Sequence, residues 1–154
     1  MVQKSKTAKV SLVCGNSRKE NIKHALELIK EDLNKLMLAK KILIKPNLTT
    51  YSKTFEIANT HIDAVRAILE FIKSHTKDFD KKEIIIAEGC GGAFYRNSST
   101  RAVFMEFGYT ELEKEYPNVR LFAIDDEKKF FEVPVTIGEK TEKMKVSNVL
   151  KECD

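Results

Sequence analysis

A lysine, a proline and an asparagine stand together where a short apolar stretch ends. The stretch KILIKPNLTT, residues 41–50, passes from apolar residues to Lys45, Pro46 and Asn47. Because proline fixes its own φ angle and keeps the preceding residue extended, the direction of the Lys45 side chain is set. Its ammonium group suits a phosphate, a carboxylate or an acid such as Glu88. Asn47 can bind a ligand or seed a turn through its own backbone, and both interpretations stay open.

A second candidate stretch is rich in glycine. AEGCGG, residues 87–92, has glycine at three of its last four positions, which lets a ligand approach the backbone closely. Free amide groups there, together with the start of the next helix, would cradle an anion, and the alternative is a plain flexible connection. The spacing matches neither GxxxxGK[ST] nor GxGxxG, so it indicates no nucleotide motif. Glu88 suits a general base, a metal ligand or, as the favoured interpretation, an ion-pair partner of Lys45.

Thr60 and His61 open a segment with helical periodicity. Thr60 fits a helix N-cap with Asp63 three residues on, and His61 then lies in the first turn, where it can hydrogen-bond a ligand. No catalytic residue and no metal ligand can be assigned. The candidate ligand-binding residues are Lys45, Asn47, Thr60, His61, Glu88, Gly89, Gly91 and Gly92.

Strands that alternate with amphipathic helices must position these residues. Strand patterns occupy residues 9–15, 40–47, 82–89 and 119–126, and helical patterns occupy 19–37, 61–75 and 99–116. Gly108 interrupts the last of these as a helix cap, and a new short helix follows it. This alternation predicts an α/β fold: a mostly parallel sheet with helices on both faces, a Rossmann-like three-layer arrangement. Ligands bind at the carboxyl ends of such strands, so four stretches should share one rim. They are residues 14–17, 45–47, 87–92 and 125–126.

The C-terminal part of the sequence has a different pattern. Residues 129–137 and 143–150 read as two strands around the turn-like GEKTE, which predicts a β-hairpin or an extended segment. We expect residues 1–8 to form a flexible N-terminal tail and residues 9–154 to form a single α/β domain.

Composition excludes several classes of protein. The 154 residues are 42% hydrophobic and 32% charged, without the run of about 18 apolar residues that a membrane span needs. The net charge of +4 is dispersed, so we expect no nucleic-acid partner. The N-terminus lacks a secretory apolar region, and three widely spaced cysteines suit reduced thiols; both favour a cytoplasmic protein.

Several stretches, in this order, resemble one known family. KILIKPNLTT, NTHIDAVRAILEFI, IIIAEG, STRAVFMEFGYTEL and VSNVLKECD are similar to the family catalogued as domain of unknown function 362, over about Lys9 to Asp154. The motif carries over to Lys45, Pro46, Asn47, Glu88 and Gly89, without assigned roles. Relatives often bear ferredoxin-like modules with iron–sulfur clusters, so the resemblance implies redox-linked chemistry. The cluster-binding cysteines are absent here, and we expect no cofactor in this chain.

The resemblance also implies that the chain is the N-terminal part of a larger domain, because relatives continue beyond the segment similar to VSNVLKECD. Our first functional hypothesis is therefore part of an enzyme that binds a small anionic ligand at the strand ends. The alternative is a non-catalytic interaction module that pairs with a separate second half or with itself, using its hairpin strands. A homo-oligomer is compatible with either.

Overall fold

Three parallel strands form the centre of the molecule. The structure, a computed structural model, describes residues 8–91 and 98–154. Strands β1 (Lys41–Ile44), β2 (Glu83–Glu88) and β3 (Val119–Ala123) lie in the order β1-β2-β3. Isoleucines at the centre of β2 are fully buried, as expected of a strand covered on both faces. The α/β class and the parallel sheet are confirmed.

Among the described residues, helices cover one face of this sheet, and the first helix packs against the third helix instead of the sheet. These helices are α1 (Arg18–Leu28), α2 (Asn34–Leu38), α3 (Ile62–His75), α4 (Thr100–Glu106) and α5 (Thr110–Glu115). Leu69 of α3 and Phe104 of α4 share one buried cluster with Ile84 and Ile86 of β2. Right-handed crossovers between strands in sequential order place their helices on the same side, which accounts for this arrangement. None of the helices in the described ranges is long and apolar enough to cross a bilayer.

The opposite face of the sheet is covered by a different element. Ile85 and Ala87 of β2 pack there against Val149, which lies in the 3-10 turn Asn148–Leu150. Helices on both faces, and with them the Rossmann-like layering, are therefore not confirmed by the described residues.

The first predicted strand is absent. Residues 9–15 form no strand, and the side chains of Val10 and Leu12 are 89% and 91% exposed. A strand pattern yields a strand only where a neighbour accepts its backbone hydrogen bonds, and none of the described residues does so here. The helix predicted over 19–37 is also interrupted, by the 3-10 turn Lys30–Leu33. Residues 1–7 of the predicted tail lie outside the described residues.

A buried lysine ties the helical layer to the sheet. Lys82, just before β2, is 3% exposed, and its ammonium group donates to the carbonyl oxygens of Met37 at 2.8 Å and Ala39 at 2.6 Å. These carbonyls belong to the end of α2 and the residue that follows it, where no helical partner is available. The charge-assisted bonds therefore fix the junction between α2 and β1 against the start of β2.

The hairpin prediction is confirmed. Strands β4 (Phe130–Ile137) and β5 (Lys140–Ser147) pair in antiparallel register from Phe130↔Ser147 to Ile137↔Lys140. Gly138, with a φ of +62°, opens the two-residue turn between them. The hairpin forms its own sheet, separate from the parallel strands. Its proposed pairing with a partner stays a prediction.

Gly108 ends α4, as the sequence predicts. Its φ is +76°, and the backbone N–H of Tyr109 donates to the Phe104 carbonyl at 2.8 Å while that of Gly108 donates to Met105 at 3.2 Å. These two bonds form a Schellman motif, which needs a left-handed residue at the glycine position. The turn sets the direction of α5 and brings Tyr109 into the core.

We expect Gly108→Ala to lower the free energy of unfolding by about 1–2 kcal/mol, because an alanine Cβ clashes with the backbone in the left-handed region. The space itself admits a Cβ, which would make an ordinary van der Waals contact with Ile62 at 3.7 Å. Gly108→Asn is the matched control, and its free energy of unfolding should fall less, because asparagine tolerates this conformation. Urea denaturation measures both variants; equal losses would contradict a conformational origin.

Candidate functional site

The carboxyl ends of the three parallel strands form one rim of the molecule. β1 leads into Lys45–Asn47, β2 into the glycine-containing loop that starts at Gly89, and β3 into the 3-10 turn Ile124–Asp126. Because the strands are parallel and in register, these segments lie side by side. The fourth stretch expected on this rim, residues 14–17, follows no strand, and its Ser17 is the N-cap of α1.

An ion pair links the ends of β1 and β2. The ammonium group of Lys45 lies 2.5 Å from Oε2 of Glu88, and it also donates to the carbonyl of Pro46 at 3.3 Å. The side chain of Glu88 is 7% exposed, whereas that of Lys45 is 52% exposed. The other carboxylate oxygen of Glu88 accepts from the backbone N–H of Gly89 at 3.0 Å. The favoured interpretation of Glu88, a partner of Lys45, matches this geometry.

Asn47 and Thr60 close the long loop between β1 and α3. The backbone N–H of Asn47 donates to Oγ1 of Thr60 at 2.9 Å, and its carbonyl accepts from the Thr60 N–H at 2.7 Å. The Asn47 side-chain amide donates to the carbonyl of Ala58 at 2.7 Å. Between them, Leu48 is fully buried. The backbone and side-chain amide of Asn47 and the hydroxyl and backbone N–H of Thr60 are therefore engaged in closing the loop.

The predicted N-cap is displaced by one residue. His61, not Thr60, is the N-cap of α3, and its Nδ1 accepts from the backbone N–H of Asp63 at 3.2 Å. Oγ1 of Thr60 instead accepts a hydrogen bond from Asn47 across the loop, a contact that the local sequence cannot predict. The Nε2 side of the exposed His61 ring faces away from this bond, so it can reach a ligand while Nδ1 caps the helix.

Tyr109 connects the loop to the core behind the ion pair. It is fully buried, and its hydroxyl donates to the carbonyl of Thr60 at 2.8 Å. Burial raises the pKa of the Tyr109 phenol well above its ordinary value, and the nearby negative charge of Glu88 adds to the effect. Tyr109 thus stays protonated and acts as a donor. Sequence analysis missed it, because an aromatic residue after a helix-ending glycine reads as ordinary core.

Thr100, which sequence analysis missed, and Asp125, from the predicted rim stretch 125–126, organise the glycine loop. Oγ1 of Thr100 accepts from the backbone N–H of Cys90 at 2.7 Å and donates to Oδ1 of Asp125 at 2.6 Å. This chain of bonds joins the loop after β2 to the turn after β3. Gly89 and Gly91 are exposed at the rim, and Gly92 lies outside the described residues.

A groove of about 800 Å³ adjoins the loop and the start of α3. Thr60 and His61 line it, as do the cations Arg18 and Lys53 and the apolar side chains of Ile57, Ile62 and Phe107. Lys53 is paired with Glu106 at 3.3 Å. Lys45 and Glu88 do not line this groove, so the structure divides the predicted residues between two neighbouring places.

The donor atoms of this chain do not fit an iron–sulfur cluster. A cluster takes four thiolates, whereas the sequence has three cysteines. Cys14 is exposed, Cys90 is buried and Cys153 lies near the end of the chain. Within residues 8–91 and 98–154, the structure brings together no group of three or more histidine, cysteine, aspartate or glutamate side chains suited to a metal.

We expect Tyr109→Phe to lower stability at neutral pH by about 1 kcal/mol, through loss of the bond to Thr60. The raised pKa of Tyr109 means that an unfolded chain deprotonates first, near pH 10.0. The stability due to this shift is complete below that pH and falls as the pH rises above it. The free energy of unfolding of the variant, measured by urea titration, should therefore decline less steeply above pH 10 than that of the wild-type protein. Burial also raises the pKa of Tyr116, so some decline remains; an unchanged slope would contradict the assignment.

Comparison with known proteins identifies a family and no activity. The model of the family described as "Domain of unknown function (DUF362)" matches residues 42–154. The match starts later than the resemblance, which began near Lys9, but it includes every candidate site residue. No curated protein and no solved structure matches the chain. Because the match covers well over half of the sequence, the chain belongs to the DUF362 family.

Proposed function

We propose that the chain binds a small anionic ligand at the rim, beside the Lys45–Glu88 ion pair, as part of an enzyme. The observation that carries the proposal is the unequal exposure of the two partners: a nearly buried glutamate side chain holds the ammonium group of a half-exposed lysine side chain at the end of a strand. Such an ammonium group is positioned by the protein and remains open to a second partner.

The hydrogen-bonding capacity of Lys45 supports this proposal. An ammonium group has three donors, and Glu88 and Pro46 take two of them. Among the described residues the third donor has no acceptor. A carboxylate or phosphate oxygen can occupy that position without breaking the ion pair.

The carboxylate of Glu88 indicates which chemical group of the ligand should lie next to its anionic group. Its carboxylate accepts from Lys45 and from the Gly89 N–H, and each carboxylate oxygen retains a further acceptor position. A ligand with a hydroxyl or amino group next to its anionic group satisfies both partners. In the proposed enzyme, Glu88 accepts a proton from that group, as a general base does.

The remaining candidate residues have a supporting role in this proposal. Asn47 and Thr60 hold the loop, and Gly89 and Gly91 leave room for a ligand close to the backbone. His61 and the neighbouring groove suit the distal part of a larger ligand. The three cysteines do not supply the four thiolates of a cluster, so the proposal assigns no step to a cluster held by this chain. We propose a cytoplasmic activity, because the three widely spaced cysteines suit reduced thiols.

A ligand screen with matched lysine variants tests the proposal. Small carboxylates and phosphates that raise the melting temperature are titrated against the wild-type protein, Lys45→Met and Lys77→Met. We expect Lys45→Met to weaken binding about tenfold or more, because a charge-assisted hydrogen bond contributes about 1.5–3 kcal/mol. Lys77, exposed after α3 and remote from the strand ends, is the control and should bind normally.

Glu88→Gln separates binding from catalysis. If the proposal holds, this variant keeps the ligand and loses turnover once a substrate is identified, because glutamine cannot take a proton. Equal affinities of the wild-type protein and Lys45→Met for every ligand found would overturn the proposal.

A further inference from the structure

We propose that the groove beside the rim binds an apolar dipeptide with free termini, and that residues 50–59 close over it as a lid. Arg18 binds the carboxylate of the dipeptide, Glu56 binds its ammonium group, and apolar side chains of the groove contact its body. This site is separate from Lys45 and Glu88, which do not line the groove, so it does not depend on ligand binding at the rim.

The groove has the size and the lining of a small-molecule site. Its volume of about 800 Å³ lies within the range of about 300–1,000 Å³ that is usual for such sites. Ile57 from the loop before α3, Ile62 at the start of α3 and Phe107 after α4 give it apolar surface from three directions. Because Ile57 is 94% exposed, a ligand with an apolar body gains free energy by covering it.

Several polar side chains of the groove already have partners. Lys53 pairs with Glu106 at 3.3 Å. Oδ1 of Asn59 accepts from the backbone N–H of Thr50 at 3.1 Å, and the Asn59 amide donates to the Thr50 carbonyl at 2.8 Å. These groups therefore hold the walls of the groove together and are not the ones that recognise a ligand.

Arg18 and Glu56 are the charged groups of the groove that remain. Both are exposed, and neither has an ion-pair partner among the described residues. Since one is a cation and the other an anion, a ligand that satisfies both carries a carboxylate and an ammonium group. A plain apolar acid would leave Glu56 without a partner. This charge complementarity favours a zwitterion with an apolar body.

The separation of the two charges favours a dipeptide over a single amino acid. Arg18 and Glu56 line the same groove but do not pair with each other. In a single amino acid both charges are attached to one carbon atom, whereas in a dipeptide a peptide unit separates them. A dipeptide can therefore reach both groups while its side chains lie against the apolar surface.

Arg18 is held on a fixed element. It is the first residue of α1, whose N-cap Ser17 accepts from the backbone N–H of Glu20 at 3.4 Å. The next residue, Lys19, pairs with Glu70 of α3 at 2.9 Å. These contacts fix the start of α1 against α3, so the guanidinium group extends from a rigid base.

Glu56 belongs to a loop with the geometry of a lid. The hydrogen bonds between Asn59 and Thr50 bring the ends of residues 50–59 together, which is the arrangement of an Ω-loop. Glu56 and Ile57 are exposed in this loop. The largely exposed ion pair that joins the loop to the end of α4 contributes little stability, so the loop can move over a ligand at small cost.

Chemical derivatives of one dipeptide test the two charges separately. Leucyl-leucine, its N-acetyl derivative, its C-terminal amide and leucine are titrated against the full chain by isothermal calorimetry. We expect leucyl-leucine to bind, and each of the other three to bind about threefold to fivefold more weakly, the loss expected of one largely exposed ion pair. No binding of leucyl-leucine, or equal binding of all four compounds, would overturn the proposal.

Matched variants assign each charge to its partner. Arg18→Met should weaken leucyl-leucine and its N-acetyl derivative but not the amide, which has no carboxylate. Glu56→Gln should weaken leucyl-leucine and the amide but not the N-acetyl derivative. Lys77→Met removes an exposed charge that does not line the groove and is the control. If either groove variant weakened all the ligands equally, or none of them, the assignment would be overturned.

Trypsin cleavage tests the lid. Lys53 is the one residue in the range 46–65 after which trypsin cuts, and Lys140, beside the hairpin turn, is the internal reference. Saturating leucyl-leucine should slow cleavage after Lys53 at least about threefold relative to Lys140, as measured by mass spectrometry of the fragments. Arg18→Met should lose this protection at the same dipeptide concentration. A bound dipeptide that leaves the cleavage rate at Lys53 unchanged would overturn the lid.

Discussion

The sequential order of the three parallel strands is the constraint on which the rest of the structure depends. Right-handed crossovers in that order place the connecting helices on one face, so the helices cannot cover the other face. The chain covers it with Val149 and its neighbours after the hairpin. The same order leaves β1 and β3 as edges of the sheet, and the parallel direction brings the ends of all three strands to a single rim. The candidate site and the two edges are thus results of one topology.

At the rim, most polar residues bind one another. Asn47 and Thr60 close a loop, Thr100 and Asp125 hold a second loop, and Tyr109 supports the first from behind. This mutual bonding fixes the backbone around Lys45 and Glu88, whose side chains retain unused hydrogen-bonding capacity. A rigid surround of this kind holds a binding group in place before the ligand arrives.

The sequence predicted the elements that are decided by local chemistry. The apolar run of β2, the periodicity of α3, the end of α4 at Gly108 and the hairpin around Gly138 all appear in the structure. The strand expected at residues 9–15 does not appear, because a strand depends on a partner and not only on its own pattern. The Lys45–Glu88 pair was predicted as one of several options. The role of Thr60 was not predicted. Its contact with Asn47, thirteen residues away, outweighed its local preference for a helix cap.

The buried ammonium group of Lys82 gives this fold an internal chemical reporter. Amine-reactive reagents modify lysines in proportion to their access, and Lys82 is reached only when the junction between α2, β1 and β2 opens. Its labelling rate, compared with that of exposed lysines such as Lys77, therefore measures the opening of the sheet. The half-exposed Lys45 should react faster than Lys82. A ligand bound at Lys45 would slow the labelling of Lys45 without changing that of Lys82. The labelling of Lys45 therefore reports ligand binding, and the labelling of Lys82 reports opening of the sheet.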